Sequence, residues 1–232
     1  MTEQLEWIDG QPYHIAYGDR YFSDQGGLPE TQHVFLNGNH LPERFAKLAD
    51  TEAFIVAELG FGTGLNFLAT ALLFQQTAPA GAQLHFYSLE KHPLTPADIQ
   101  QALQSWPELA DLRNALLAVY PDNLTTGDHT LAVTPNITLH LAIGDVADIL
   151  PRWAQQSLAA DAWFLDGHSP SKNPVMWTPE IMASVYQLTK AGGSFATFAC
   201  AVFVQKNLSA AGFNIHKIKG FSTKREMLIG QK

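Results

Sequence analysis

Residues 58 to 64 read Glu58-Leu59-Gly60-Phe61-Gly62-Thr63-Gly64, an acid followed by glycine at every second position. Glycine lets a backbone pass close beneath a ligand, and a helix that starts just after such a turn offers it unpaired N–H groups. The spacing is not the G-x-G-x-x-G of dinucleotide-binding turns, because the glycines alternate without the two-residue gap. Two more acids end apolar runs. Glu90 closes Phe86-Tyr87-Ser88-Leu89-Glu90, where a carboxylate can accept two hydrogen bonds from a ribose diol. Asp145 closes Ala142-Ile143-Gly144-Asp145, where it can cap the helix that follows. A crowded polar stretch, Asp166-Gly167-His168-Ser169-Pro170-Ser171-Lys172-Asn173-Pro174, adds a fourth acid before a glycine turn. A carboxylate there can orient an amine and take its proton, directly or through water.

These groups need strands and helices to hold them. Residues 54–57 form a short apolar run and 65–75 have helical apolar spacing, which makes strand, turn, helix around the glycines. The rhythm returns with strands at 83–89, 137–142, 162–165 and 194–198, and with helices at 97–106, 108–119, after Asp145, at 179–188 and at 202–211. Strands separated by helices predict a mostly parallel sheet covered on both faces. The last two strands, 213–218 and 226–229, are joined by a segment too short for a crossover helix, so they pair antiparallel. Ligands of such sheets bind at the carboxyl ends of the strands, where all four acids fall. The first fifty residues read differently, with alternating stretches 12–17 and 20–22 around Gly18-Asp19 that predict a hairpin, followed by a helical or capping segment at 30–36. The expected division is therefore a hairpin and cap over 1–50, packed on a main domain over 51–232.

At 232 residues, 46% hydrophobic and 16% charged, the chain suits one decorated α/β domain. No apolar run reaches the roughly 18–20 residues of a membrane span, and Met1-Thr2-Glu3-Gln4 does not start a secretory signal, so a cytoplasmic protein without membrane contact is expected. The single cysteine, Cys200, excludes an internal disulfide and a Cys-rich metal site, and its apolar setting predicts a buried small hydrophobe. Nine histidines show no pair at ligand spacing, so no metal is expected. The net charge of −8 is unevenly spread: from Ala201 onward Lys206, Lys217, Lys219, Lys224, Arg225 and Lys232 face one acid, Glu226. That asymmetry is compatible with a local polyanion contact or with a solvated edge.

A parallel sheet closed by one antiparallel hairpin resembles the Rossmann-like class I methyltransferase fold: seven strands, mostly parallel, with an antiparallel last strand, here with a small N-terminal hairpin and cap. The alternating glycines after Glu58 resemble that family's S-adenosyl-L-methionine signature. In more detail, Tyr21-Phe22-Ser23, Glu58 to Asn66, Asp166-Gly167 with Pro170 and Lys172-Asn173-Pro174, and Lys224-Arg225-Glu226-Met227 resemble the methyltransferase half of the bifunctional tRNA 5-methylaminomethyl-2-thiouridine biosynthesis family, over nearly the whole chain. The resemblance implies methylation of the exocyclic amine of 5-aminomethyl-2-thiouridine at the tRNA wobble position. It implies donor contacts from Glu58, Gly60, Phe61, Gly62, Thr63, Gly64, Asn66, Glu90, Lys91, Asp145 and Asp166, with Glu58 orienting the donor's ammonium and Asp145 reading its adenine. For the substrate it implies His168, Ser169, Pro170, Lys172, Asn173, Lys224 and Arg225. For an amine substrate Asp166 is the candidate catalytic base, and the uneven charge points Lys217, Lys219, Lys224 and Arg225 toward tRNA phosphates. Relatives more usually carry Asp-Gly-Phe-Ala-Pro where this chain has Asp166 to Pro170, so His168 and Ser169 alter the substrate pocket. An FAD-dependent oxidase, fused or separate, is the expected companion. A methyltransferase acting on small-molecule amines and a non-catalytic nucleotide-binding module share part of this pattern and remain alternatives.

Overall fold

The computed structural model describes residues 5–8, 10–22 and 26–232. Ser23, at the end of the Tyr21-Phe22-Ser23 segment, and Met1 to Gln4 lie outside the described residues. The main sheet is built from β4 (Ala53–Leu59), β5 (Gln83–Glu90), β6 (Gly127–Thr134), β7 (Ile137–Ile143), β8 (Ala160–Leu165), β9 (Thr189–Thr197), β10 (Asn214–Lys219) and β11 (Glu226–Gln231), in the order β10-β11-β9-β8-β4-β5-β7-β6. β7, β5, β4, β8 and β9 pair in parallel, and β11 lies antiparallel to both β9 and β10. The seven expected strands are all present. An eighth, β6, was not read from the sequence and pairs antiparallel with β7 at the sheet edge. Only Leu131 and Val133 along it are buried, so an edge strand among Asp128, His129 and Thr130 carries too little apolar alternation to stand out.

The helices on one face include α1 (Gly27–Thr31), which runs into a π-helical turn over Gln32–Asn37, then α2 (Leu41–Ala46), α3 (Leu65–Thr77), α4 (Pro96–Ala102) and α5 (Ala110–Val119). The expected helix at 97–106 stops at Ala102; Trp106, held out of the helical region by Pro107, leads into a short 3-10 turn over Pro107–Leu109 ahead of α5. On the other face lie α6 (Val146–Gln155), α7 (Pro179–Gln187) and α8 (Val202–Ala211). Every residue of β8 is buried, as expected of a central parallel strand covered on both sides. Phe35 stacks on Phe164 at 5.1 Å on the first face, and Phe45 meets Phe54 and Phe74 edge-on. Trp153, Trp163, Phe195 and Phe213 fill the second.

The N-terminal segment is bolted to this frame by polar groups. Asn39 Nδ2 donates to the carbonyls of Phe35 and Trp163, and Asn39 Oδ1 accepts from Ser194 Oγ at 2.7 Å. Ahead of it, β1 (Leu5–Ile8), β2 (Gln11–His14) and β3 (Asp19–Arg20) form a three-stranded antiparallel sheet. The expected hairpin around Gly18-Asp19 is real but shorter than predicted: the strand ends at His14, residues 15–18 turn, and a second hairpin closes at Gly10. Cys200 is only partly buried, and burial pushes its thiol upward.

Candidate active site

At the carboxyl ends of β4, β5, β7 and β8 the chain encloses a cavity of about 1010 Å³. The turn after β4 forms its floor. Gly60 sits at φ +95 and Gly62 at φ +55, conformations that side chains rarely adopt, and a Cβ on Gly60 would lie 3.1 Å from Gly167 Cα. Two strand-end loops therefore approach each other so closely that backbone, not side chains, lines this part of the wall.

The acids are held in place by a hydrogen-bond network. Glu90 accepts from Gly62 N at 2.9 Å and from His92 N at 2.7 Å, one bond per oxygen, which leaves lone pairs on a fixed carboxylate. Asp145 caps α6 by accepting from Ala147 N at 3.0 Å and pairs with Lys91 Nζ at 2.9 Å; those contacts hold it below the ordinary carboxyl range. Glu58 is fully buried, accepts from Asn66 Nδ2 at 2.8 Å and bonds with Ser88 Oγ at 2.6 Å; burial lifts its carboxyl well above the ordinary range. Asn66 also donates to Asp166 Oδ2 at 3.0 Å and accepts from Thr31 Oγ1 at 2.7 Å. It thus links the acid behind the glycine turn to the acid of the substrate loop. Asp166 faces the cavity, accepts from Gly167 N at 2.9 Å, and is pushed upward by burial. Asn173 Nδ2 donates to Gly167 O at 3.1 Å and stiffens the same turn.

The N-terminal sheet roofs the cavity. Asp19 on β3 accepts from Ser169 N at 3.3 Å, pairs with Lys172 Nζ at 3.2 Å and lies 3.7 Å from His168 Nδ1. Burial alone would raise this carboxyl, but the bonds from His168, Ser169 and Lys172 outweigh it and hold it well below the ordinary range. Lys172 also donates to Gly18 O. Behind this clasp His14 is 2% exposed with neither ring nitrogen partnered, and its ring packs against Tyr17, Tyr21, His92 and His168 at 4.6 to 6.0 Å between centroids. Burial, and then the neighbouring His168 and His92, bring its pKa down to about 4. Three histidines that are remote in sequence meet here, yet among the described residues no group of three side chains is arranged to hold a metal ion.

Of the residues expected from sequence, the cavity wall includes Gly60, Phe61, Gly62, Thr63, Asn66, Glu90, Lys91, Asp145, Asp166, His168, Ser169, Lys172, Asn173 and Lys224. Glu58, Gly64, Pro170 and Arg225 are not on it. Glu58 stands behind Asn66, so its contact with anything in the cavity runs through that side chain. Gly64 at φ +79 starts α3. Lys217 pairs with Glu226 at 3.1 Å and Lys224 with Glu30 at 2.7 Å, so both ammonium groups already have acidic partners. Tyr21, from the Tyr21-Phe22 segment noted in the sequence, is on the wall as well; His14, Tyr17, Asp19, Glu30, Phe198 and Phe221 also line the cavity and have no local signal in the sequence, because strands and loops distant along the chain bring them there.

A glycine turn and three strand-end carboxylates around a cavity at the carboxyl edge of this sheet define a class I methyltransferase fold. The family model described as S-adenosyl-L-methionine-dependent methyltransferase matches residues 107–232, more than half of the chain, and the chain belongs to that family. It is 50% identical over 228 residues to the tRNA 5-methylaminomethyl-2-thiouridine biosynthesis bifunctional protein MnmC of Chromobacterium violaceum, with 98% of this chain and 34% of that protein covered. It is 47% identical over 232 residues to the protein of the same name from Chromohalobacter salexigens, covering 98% and 33%. The chain thus spans about a third of the length of these relatives. The crystal structure of MNMC2 from Aquifex aeolicus shares the fold with a TM-score of 0.74 at 20% identity, over 98% of this chain and 69% of that one. Among the described residues no helix is long and apolar enough to cross a membrane.

Proposed function

We propose that this chain transfers the methyl group of S-adenosyl-L-methionine to the exocyclic amine of 5-aminomethyl-2-thiouridine at the tRNA wobble position, giving 5-methylaminomethyl-2-thiouridine. The observation that carries the reading is Asp166, a carboxylate raised by burial that faces the cavity and is one side chain, Asn66, away from Glu58 behind the glycine turn. When bound, S-adenosyl-L-methionine supplies an electrophilic methyl group on a sulfonium. The residues present fit such a ligand. Gly60 and Gly62 hold left-handed backbone without side chains on the cavity wall, close against Gly167 and Tyr21, and Glu90 keeps lone pairs for a diol. Asp145 stands at the next strand end, and Lys91 steadies it.

The attacking amine must be unprotonated, and a free alkylamine has a pKa of about 10.4. Methylation exchanges one N–H of the substrate amine for N–CH₃, so a group of this chain or water must receive one proton from the nitrogen. Asp166 orients the amine and takes that proton, directly or through water; a carboxyl raised by burial accepts it more readily than an exposed one. His168, Ser169, Lys172 and Asn173 shape the acceptor side, and holding amine and methyl in line accounts for much of the acceleration. The basic C-terminal hairpin, with Lys217, Lys219 and Arg225, faces tRNA phosphates in this reading. A fused or separate FAD-dependent oxidase is the proposed companion, in the cytoplasm. The test is incubation with S-adenosyl-L-methionine and tRNA purified from cells lacking this activity, followed by nucleoside mass spectrometry. A mass gain of one methyl on the aminomethyl nucleoside is expected; its absence refutes the reading.

A further inference from the structure

The ammonium of Lys224 rests at the cavity on two partners, 2.7 Å from Glu30 Oε1 and 4.8 Å above the ring of Phe198. All three residues line the cavity, yet they come from α1, from the turn after β9 and from the loop between β10 and β11. The partners are unequal. The Glu30 side chain is 15% exposed and that of Lys224 is 44% exposed, so the acid is set into the wall while the lysine reaches it from outside on a flexible stem. A carboxylate beside an aromatic face is a recognition site for an alkylammonium, because the ring quadrupole and the anion attract the same charge. The other two ammonium groups on the wall, of Lys91 and Lys172, are paired with Asp145 and Asp19. Glu30 is also near enough to Asp166 for its charge to add to burial in raising that carboxyl.

We propose that Glu30 and Phe198 form the seat for the aminomethyl group of the substrate in its ammonium form, and that Lys224 fills this seat in the free enzyme. The inference rests on the amine-methylation reading above. A lysine side chain ends in a primary alkylammonium, the same group that an aminomethyl substituent presents, so a cage that holds one holds the other. The seat discriminates between a uridine that carries the amine and one that does not, and it captures the cation beside Asp166 before the proton is lost. Lys224 is then a competitor that must withdraw, not a phosphate anchor.

The test compares Glu30→Gln and Lys224→Met with the unaltered enzyme on tRNA bearing 5-aminomethyl-2-thiouridine, with binding of tRNA bearing plain 2-thiouridine and of S-adenosylhomocysteine as controls. Glu30→Gln is expected to raise KM for the aminomethyl tRNA about tenfold, the loss of one charge-assisted contact, while both controls stay unchanged. Lys224→Met is expected to lower that KM by about two- to fivefold, since an exposed ion pair that competes for the seat is worth little. Benzylammonium, a ring carrying the same CH₂–NH₃⁺ group, is titrated calorimetrically in parallel; it should bind the Lys224→Met enzyme and not the Glu30→Gln, Lys224→Met double variant. Methylated tRNA with an unchanged KM in Glu30→Gln overturns the seat. So does a Lys224→Met enzyme that weakens both tRNAs equally, which makes Lys224 a phosphate contact. If tRNA is not methylated but benzylammonium binding still needs Glu30, the seat stands and the tRNA reading falls.

Discussion

Replacing Asn66 by leucine keeps side-chain volume but removes a junction. The two hydrogens of Nδ2 go to Glu58 at 2.8 Å and Asp166 at 3.0 Å, and Oδ1 accepts from Thr31 at 2.7 Å. A neutral hydrogen bond contributes about 1 kcal/mol net and one to a carboxylate about 1.5–3, so the loss comes to about 4–7 kcal/mol. That is a large share of the 5–15 kcal/mol typical of a folded domain. The deficit should depend on pH, and its sign follows from Glu58. Burial lifts that carboxyl well above its ordinary 4.5, and the bond from Asn66 is one of the contacts that pull it back down. A raised carboxyl contributes stability that is complete below its unfolded pKa and is lost as pH rises through the folded one. Without Asn66 the folded value rises further, so the variant's deficit should widen as pH rises above 4.5 through the folded values. Urea denaturation over a pH series measures it, as a fall in midpoint at unchanged slope. A loss below about 1 kcal/mol, or a deficit that narrows with rising pH, would refute the reasoning.

Asp166→Asn keeps the turn but removes the base, so turnover on tRNA should fall by about 100- to 10,000-fold while S-adenosylhomocysteine affinity holds, with the deficit shrinking at high pH; near-normal turnover at pH 7 would make Asp166 a turn residue only. Gly62→Val forces a branched side chain into φ +55 with its Cβ 3.2 Å from Tyr21 Cδ1, and calorimetry should find donor binding abolished. His14 has a pKa lowered from its ordinary 6.5 to about 4 by burial, so its contribution is complete above 6.5 and drains away as pH falls toward 4, by about 3 kcal/mol. His14→Phe should therefore flatten the loss of stability over that window by up to one proton, and an unchanged slope in urea titrations would show that the imidazole already protonates in the folded state.

The parallel core and its donor edge were legible because they obey local rules. Apolar runs near Phe54, Leu84, Ile137 and Ala162 alternate with helical spacing, and each ends at or just before an acid, Glu58, Glu90, Asp145 or Asp166, so periodicity alone orders them. Glu90 and Asp145 could be placed at strand ends on the same basis, since a residue's position at the end of a strand needs no knowledge of distant contacts. The roof was not legible. Asp19 read as a turn residue and His14 as one member of an alternating strand, and nothing local says that β3 lies over the loop after β8 or that Asp19 clasps Ser169 and Lys172 across some 150 positions. The same holds for the partners of Glu58: its full burial, with Asn66 bonded to one carboxyl oxygen and Ser88 to the other, is set by packing. Lys224 read as a free cation in a basic tail, and only the packing of α1 against the last hairpin gave it Glu30 as a partner. Hydrophobic period and turn chemistry act over a few residues and so are written in the sequence, whereas the partner of a charge is chosen by whichever distant element the folded core brings within 3 Å, and that choice exists only in the tertiary structure.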